Sequence, residues 1–293
     1  MSDLSNVEQL HGRTAIITGA SQGLGLEIAR RYVAAGASVM ICARDAELLS
    51  QAADELKSTI GKNQQIFSIA ADISKPDAVE DLIQSAVEKL GRIDILVNNA
   101  GVYGPKGTIE NVDWVEWVRA IDINLLGSVL MCRAVVLEMK KQGYGKIVQL
   151  SGGGATNPLP NLSAYAVGKA GIVRFIETLA MEVAEHGIDA NAVAPGALNT
   201  RMLDEIIESG PEAVGEAFYE KALEQRATGG AGLEKGAELV VYLGSAVSDG
   251  ITGKLISAIW DPWRNLAEHS TELSDSDIYT LRRIVPADRG VEW

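Results

Sequence analysis

Tyr165 and Lys169 stand four residues apart in Ser-Ala-Tyr-Ala-Val-Gly-Lys-Ala-Gly. On a helix, that spacing puts both side chains on one face. A free phenol titrates at about pH 10, too high for easy proton exchange near neutrality, and a neighbouring ammonium favours the phenolate. The pair can therefore act as a proton donor and acceptor. A lone Tyr-x3-Lys pair is also a common surface pairing, so its meaning depends on what positions it.

A second group of residues could hold a dinucleotide. Thr18-Gly19-Ala20-Ser21-Gln22-Gly23-Leu24-Gly25 joins an apolar run to a helical pattern. Glycines there let backbone approach a pyrophosphate, and the helix N-terminus faces the anion with free N–H groups and a positive dipole end. The Gly-x3-Gly-x-Gly spacing differs from the common Gly-x-Gly-x2-Gly fingerprint. Taken alone it also fits a tight strand–helix turn. The next strand ends in Cys42-Ala43-Arg44-Asp45. An acid at that end would bond the ribose hydroxyls of NAD, whereas an arginine accommodates the 2′-phosphate of NADP. The acid position falls on Ala43 and Arg44 follows, which favours NADP(H) and leaves NAD(H) open. Gln22 is not basic and Asp45 adjoins Arg44, which weigh the other way. The plainer reading of Arg44 is a solvated charge at a helix start.

These residues need a frame. Short apolar, β-branched runs at residues 14–18, 38–43, 93–98, 146–151, 189–194 and 254–259, and one ending near Asp72, read as strands. Helical patterns lie between them. One spans residues 23–35 with Gly36 as its stop, one follows Asp45 as a cap, and one runs from Pro76 to about Leu90. Nearly continuous apolar strands alternating with helices predict a doubly wound (Rossmann), seven-stranded parallel sheet in a three-layer α/β/α sandwich. Such sheets bind ligands beyond the carboxyl ends of their strands. Residues 1–259 are expected to form one domain. Residues 201–232 read as a lid over the site or a surface insertion. Residues 260–293, with Trp260, Trp263, Tyr279 and Trp293, read as a tail packed on the domain or on a neighbouring subunit.

In order and spacing, Thr18–Gly25, Asn98-Asn99-Ala100-Gly101, Asn124, Tyr165 with Lys169, and Pro195-Gly196 resemble the short-chain dehydrogenase/reductase family from about Thr14 to Ile259. The likeness is to its single-domain branch, which includes 3-oxoacyl-acyl-carrier-protein reductases. The resemblance implies hydride transfer between nicotinamide and a carbonyl or alcohol carbon. It gives Asp72 and Ile73 the adenine ring and places Asn99, Ala100 and Gly101 along the adenosine side. Asn124 would support a water that relays protons from Lys169. Lys169 would also bind the nicotinamide ribose, and Pro195, Gly196, Leu198 and Thr200 would fix the carboxamide. The family's substrate-orienting serine lies thirteen residues before the tyrosine, which here is Gly152 (165 − 13 = 152). Ser151 would fill the role if Gly152-Gly153-Gly154 absorbs a one-residue slip, since a slip on a regular strand turns the side chain to the other face. Otherwise a backbone N–H or a water would do so. The resemblance also implies a homotetramer or homodimer built on helices spanning residues 124–141 and 163–186.

Composition sets the outer bounds. The formal net charge of −13 offers no basic stripe for nucleic acid. Cys42 and Cys132 sit in apolar runs and read as buried thiols rather than a disulfide, which suggests a reducing, cytoplasmic setting. His11, His186 and His269 lack metal-ligand spacing. No stretch reads as the roughly 18 apolar residues that a membrane span needs. Tyr103, Thr156, Asn157, Leu198 and lid residues are expected to wall the substrate pocket. Two other functions fit the same residues: epimerisation or dehydration through transient oxidation, and a non-catalytic dinucleotide-binding regulator.

Overall fold

Runs with no polar alternation become strands that are covered on both faces. β1 (Thr14–Thr18) and β5 (Gly145–Leu150) are buried at every residue, and β4 (Ile95–Asn98) likewise. The computed structural model describes residues 9–292. With β2 (Ser38–Ala43), β3 (Ile66–Ala70), β6 (Ile188–Ala194) and β7 (Leu255–Ser257), these strands form one seven-stranded parallel sheet in the order β3-β2-β1-β4-β5-β6-β7. The order reverses between β1 and β4, and a doubly wound sheet opens its ligand crevice at that switch point.

One face carries α1 (Gly23–Ala34), α2 (Ala46–Lys57) and α9 (Leu233–Gly244) over a core that includes Ile17, Ile28, Tyr32, Val39 and Val240. The other carries α3 (Pro76–Leu90), α5 (Ser128–Gln142) and α6 (Ser163–Val183) over a core that includes Ile16, Met40, Leu96, Met131 and Ile176. Asp45 caps α2 as the sequence suggests, its carboxylate accepting from the N–H groups of Glu47 and Leu48.

Strand ends differ from expectation for local reasons. β4 starts two residues late because Ile93 turns both backbone groups to the Gln142 amide, donating to Oε1 at 3.0 Å and accepting from Nε2 at 2.9 Å. β7 ends early as the chain turns at Ser257, whose N–H donates to Asp261 Oδ2 at 2.6 Å and whose Oγ accepts from the N–H groups of Ile259 and Trp260. Ahead of α5 lie α4 (Trp114–Ile121), which the sequence reading missed, and a π-helical turn over Asp122–Gly127. Together they make a helical run of 29 residues, Trp114–Gln142. Contrary to expectation, this run is long and apolar enough to span a bilayer, with a mean hydropathy of 1.8 over its best window. Its buried face nevertheless packs Met131, Cys132, Val135 and Met139 into the sheet core, and a core helix meets the same criterion.

Residues 201–232 fold as α7 (Arg201–Val214) and α8 (Glu216–Thr228), separated by Gly215 at φ +87°. The tail packs on its own chain. Trp263, Leu266 and Leu273 join the core beneath α9, with Trp263 tilted against Tyr242 at 5.6 Å between ring centroids. Tyr279 O accepts from Leu255 N–H at 2.7 Å, and Leu281 N–H donates to Glu177 Oε1 at 2.6 Å. The sheet edge and α6 are therefore tied to the tail. Trp260, by contrast, is 85% exposed. Trp263→Ala should cost about 3–5 kcal/mol of stability, the range for emptying a buried indole site, and Trp260→Ala less than ~0.5 kcal/mol. Chemical denaturation of the two variants checks both.

Candidate active site

The carboxyl ends of β1, β4, β5 and β6 open onto one cleft of about 1150 Å³. Its floor is set by glycines. A β-carbon on Gly25 would lie 2.2 Å from Gly19 O, and one on Gly19, at φ +63°, would lie 2.8 Å from Ala100 Cα. Only glycine allows β1, α1 and the end of β4 to approach this closely. Asn99 holds the same turn, donating from Nδ2 to Thr18 O and Gly19 O at 3.0 Å each. Thr18 Oγ1 accepts from the N–H groups of Asn99 and Ala100. Gln22 precedes α1 with no side-chain cap, so the first-turn N–H groups face the cleft uncapped. That glycine cradle under a helix N-terminus fits a pyrophosphate.

Every residue expected to touch the dinucleotide lines this cleft: Gly19, Ser21 to Gly25, Arg44, Asp72, Ile73, Asn99 to Gly101, Tyr165, Lys169, Pro195, Gly196, Leu198 and Thr200. Asp72 Oδ1 accepts from Ser74 N–H at 3.0 Å and from Ser74 Oγ at 2.7 Å. Burial works against its charge, but the two Ser74 bonds, with Arg44 and Lys75 nearby, hold the carboxyl below its usual range. Arg44 is exposed and has no ion pair or hydrogen bond among the described residues.

At the other end of the cleft, α6 presents Tyr165 and Lys169 from one face, both buried. Lys169 Nζ lies 5.7 Å from the Tyr165 ring centroid and donates to Leu150 O at 2.9 Å. Burial lowers the Lys169 ammonium to about 8. Burial, with Tyr103 adding, raises the Tyr165 phenol. The sequence reading expected the ammonium to lower the phenol. Desolvation wins instead, because a buried group favours its neutral form.

Asn124 is buried in the π-helical turn and does not line the cleft itself. Its amide is doubly committed to Val102, accepting from the N–H at 2.9 Å and donating to the carbonyl at 2.7 Å. This pins the loop that carries Gly101 and Tyr103.

The position expected to carry a serine is Gly152, and the chain direction there does aim at the phenol. A β-carbon on Gly152 would lie 2.3 Å from the Tyr165 hydroxyl. No bulge absorbs a slip: Ser151 N–H still pairs with Val193 O at 2.8 Å, and Gly152 is extended at φ −178°, ψ 175°. Ser151 lines the cleft, and its Oγ is buried and makes no hydrogen bond to the phenol or to any other described group.

The walls near Tyr165 are largely apolar. Tyr103 packs on it at 4.8 Å between centroids, and Leu159, Met202, Leu203, Ile206 and Phe218 continue the surface. Tyr103, Thr156, Asn157 and Leu198 line the cleft as expected, and Trp260 reaches its rim. Sequence reading missed Leu159 and the lid apolars individually. For Met202, Leu203 and Ile206 the only signal was the apolar stripe of α7, which looks the same in any amphipathic helix; Leu159, in the loop before α6, and Phe218, in α8, carried none.

Comparison with known proteins agrees with this geometry. The short chain dehydrogenase family model matches residues 13–210. The 7alpha-hydroxysteroid dehydrogenase of Escherichia coli (strain K12) is 35% identical over 199 residues, 68% of this chain and 76% of that protein. Dehydrogenase/reductase SDR family member 4 of Caenorhabditis elegans is 32% identical over 253 residues, 86% of this chain and 95% of that protein. Among solved structures, levodione reductase superimposes with a TM-score of 0.78 at 27% identity, covering 88% of this chain and 99% of the other. With two-thirds of its length matched by the family model and the Tyr165–Lys169 pair set beside a dinucleotide cradle, the chain belongs to the short-chain dehydrogenase/reductase family, whose members act on hydroxyl or carbonyl groups with NAD(P).

Proposed function

We propose that this chain is an NADP(H)-dependent oxidoreductase acting on a carbonyl or secondary alcohol of a small molecule with an apolar body. The observation that carries it is the buried Tyr165 phenol, held with Lys169 on one helix face at the end of a dinucleotide-shaped cleft. The nicotinamide supplies or accepts the hydride. In the reductive direction the carbonyl oxygen gains negative charge as its π bond opens, and Tyr165 gives that oxygen its proton. A phenol whose affinity for its proton is raised by burial starts in the donor state at neutral pH. Lys169 stabilises the phenolate that remains, and its ammonium, whose hold on the proton burial weakens, starts the relay that returns a proton to the phenol. Asn124 keeps the Gly101–Tyr103 loop in place beside the reacting oxygen.

The preference for NADP(H) rests on Arg44 and on what Asp45 is doing. Asp45 spends its carboxylate on the α2 cap, so it neither neutralises Arg44 nor reaches toward ribose hydroxyls. An unpaired guanidinium at the cleft edge suits a 2′-phosphate. The apolar walls favour a ketone or sterol-like alcohol over a sugar, which would leave several hydroxyls unpaired. Exposed Leu126, Leu137, Val167 and Met181 on the π-helical turn, α5 and α6 support self-association through that side of the molecule.

Tyr165→Phe should retain cofactor binding and lose at least about 100-fold in kcat with an apolar ketone and NADPH, the scale of general acid catalysis. Absorbance of the reduced nicotinamide measures this. Arg44→Ala should weaken NADPH by about tenfold or more, the worth of a charged hydrogen bond, and leave NADH unchanged. Fluorescence titration of both dinucleotides separates these outcomes, and equal losses would remove the 2′-phosphate from Arg44. The Lys169 ammonium persists below about 8 and is lost above it. Reductive turnover should therefore hold steady on the acid side and fall as pH rises through that value, as a kcat–pH profile will read.

A further inference from the structure

We propose that Gly152 is a positioning residue. Its missing side chain seats the Tyr165 hydroxyl over the strand end, so that the phenol holds the substrate oxygen without a serine beside it. This rests on the oxidoreductase reading above and concerns the one catalytic position where the chain departs from its family. Simple loss of a helper serine would leave an empty space at residue 152. Instead, the space is taken by Tyr165: its hydroxyl would sit 2.3 Å, and its Cζ 3.3 Å, from a β-carbon there. Real β-carbons do not approach a neighbour so closely, so any larger residue at 152 must displace the phenol.

The phenol has little freedom to yield. Tyr165 is buried, with Tyr103 tilted over its ring. Its helix is wedged at two further points. A β-carbon on Gly154 would lie 2.9 Å from Ala166 Cα, and one on Gly168 would lie 2.9 Å from Asn124 Cβ. Both approaches are to backbone or near-backbone atoms, and Lys169 Nζ ties the same helix to Leu150 O at 2.9 Å, so a shift of α6 would break packing and a buried hydrogen bond. Displacement must then fall on the Tyr165 side chain and carry its hydroxyl off the reacting position. Ser151, one residue earlier on the strand, makes no hydrogen bond to the phenol and so does not hold it in place. A serine restored at 152 would therefore impair this enzyme rather than complete it.

Gly152 is extended, a conformation any residue adopts, so substitution there reads the contact and not backbone strain. The test uses the full chain as wild type, Gly152→Ala, Gly152→Ser, Tyr165→Phe and Gly152→Ala/Tyr165→Phe, with three readouts: Tm, NADPH affinity, and kcat against a panel of apolar ketones. Gly152→Ala should lower Tm by about 3 °C or more through overpacking. That loss should shrink in the Tyr165→Phe background, where the atom it meets is gone. Gly152→Ala and Gly152→Ser should both lose about tenfold or more in kcat, as a misplacement near 1 Å does, with NADPH affinity unchanged. A Gly152→Ser enzyme as fast as wild type or faster would overturn the proposal, and so would a Tm change that is the same in both backgrounds. An inactive wild type, no different from Tyr165→Phe on the whole panel, would instead overturn the oxidoreductase reading and this one with it.

Discussion

The site depends on how closely the first turns of α6 can approach the ends of β4 and β5. One buried hydrogen bond, from Lys169 Nζ to Leu150 O, spans that gap, but it does not set the distance alone. The absence of β-carbons at Gly101, Gly152, Gly154 and Gly168 permits the approach, each facing Asn124, Tyr165 or Ala166 within about 3 Å of where a side chain would begin. Close packing of this kind has two stiff partners and no slack, because interiors transmit a displacement rather than absorb it. The π-helical turn at Asp122–Gly127 belongs to the same constraint. It turns Asn124 inward beneath Gly168 while its amide holds the Val102 backbone. π-helical turns inside α-helices are rare and recur at functional sites.

The two ends of the sheet show opposite polar chemistry. At the amino ends of the strands, buried charge is multiply paired. Lys146 Nζ sits between Asp189 and Asp249, each at 2.6 Å, and Asp94 meets Arg92, Arg13 and the Thr14 backbone and hydroxyl. Multiple partners are what make buried charge tolerable. At the carboxyl ends, Lys169 aside, the buried polar groups are neutral: the Asn98 and Gln149 amides and the Ser128 and Ser151 hydroxyls. Paired charge is thus concentrated at the end away from the cleft, and neutral polarity at the end that opens onto it.

The layering of the fold was legible because its strands are apolar throughout and its helices carry plain signals. Asp45, Pro76 and Gly36 punctuate the chain as local rules require. The dinucleotide residues were legible because backbone cradles need glycine at fixed spacing. What was not legible came from side chains acting at a distance. Gln142 shortens β4 from 49 residues away, and no periodicity records that. Trp260 and Trp263 lie three residues apart in one turn-rich segment, yet one reaches the cleft rim and the other the core. The balance at Tyr165 was misread for the same reason. Spacing places an ammonium beside a phenol, but the sign of the shift is decided by how much protein surrounds them.

The apolar wall of the cleft near Tyr165 belongs to a separate small core. Leu162, Leu203, Ile206, Val214 and Ala222 pack together with Tyr103, Leu159 and Phe218, apart from the two cores that hold the sheet. α7 and α8 can therefore vary in sequence without disturbing the strands, and folds of this kind host many functions by such variation. Tyr165 is the exception, since it is a member of this cluster and also the proposed proton donor. A change in the apolar wall can reach the phenol through Tyr103, which packs on its ring, and alter its position and its desolvation. In the proposed mechanism specificity and acid strength are consequently coupled, and at Gly152 no side chain separates the hydroxyl from the strand end.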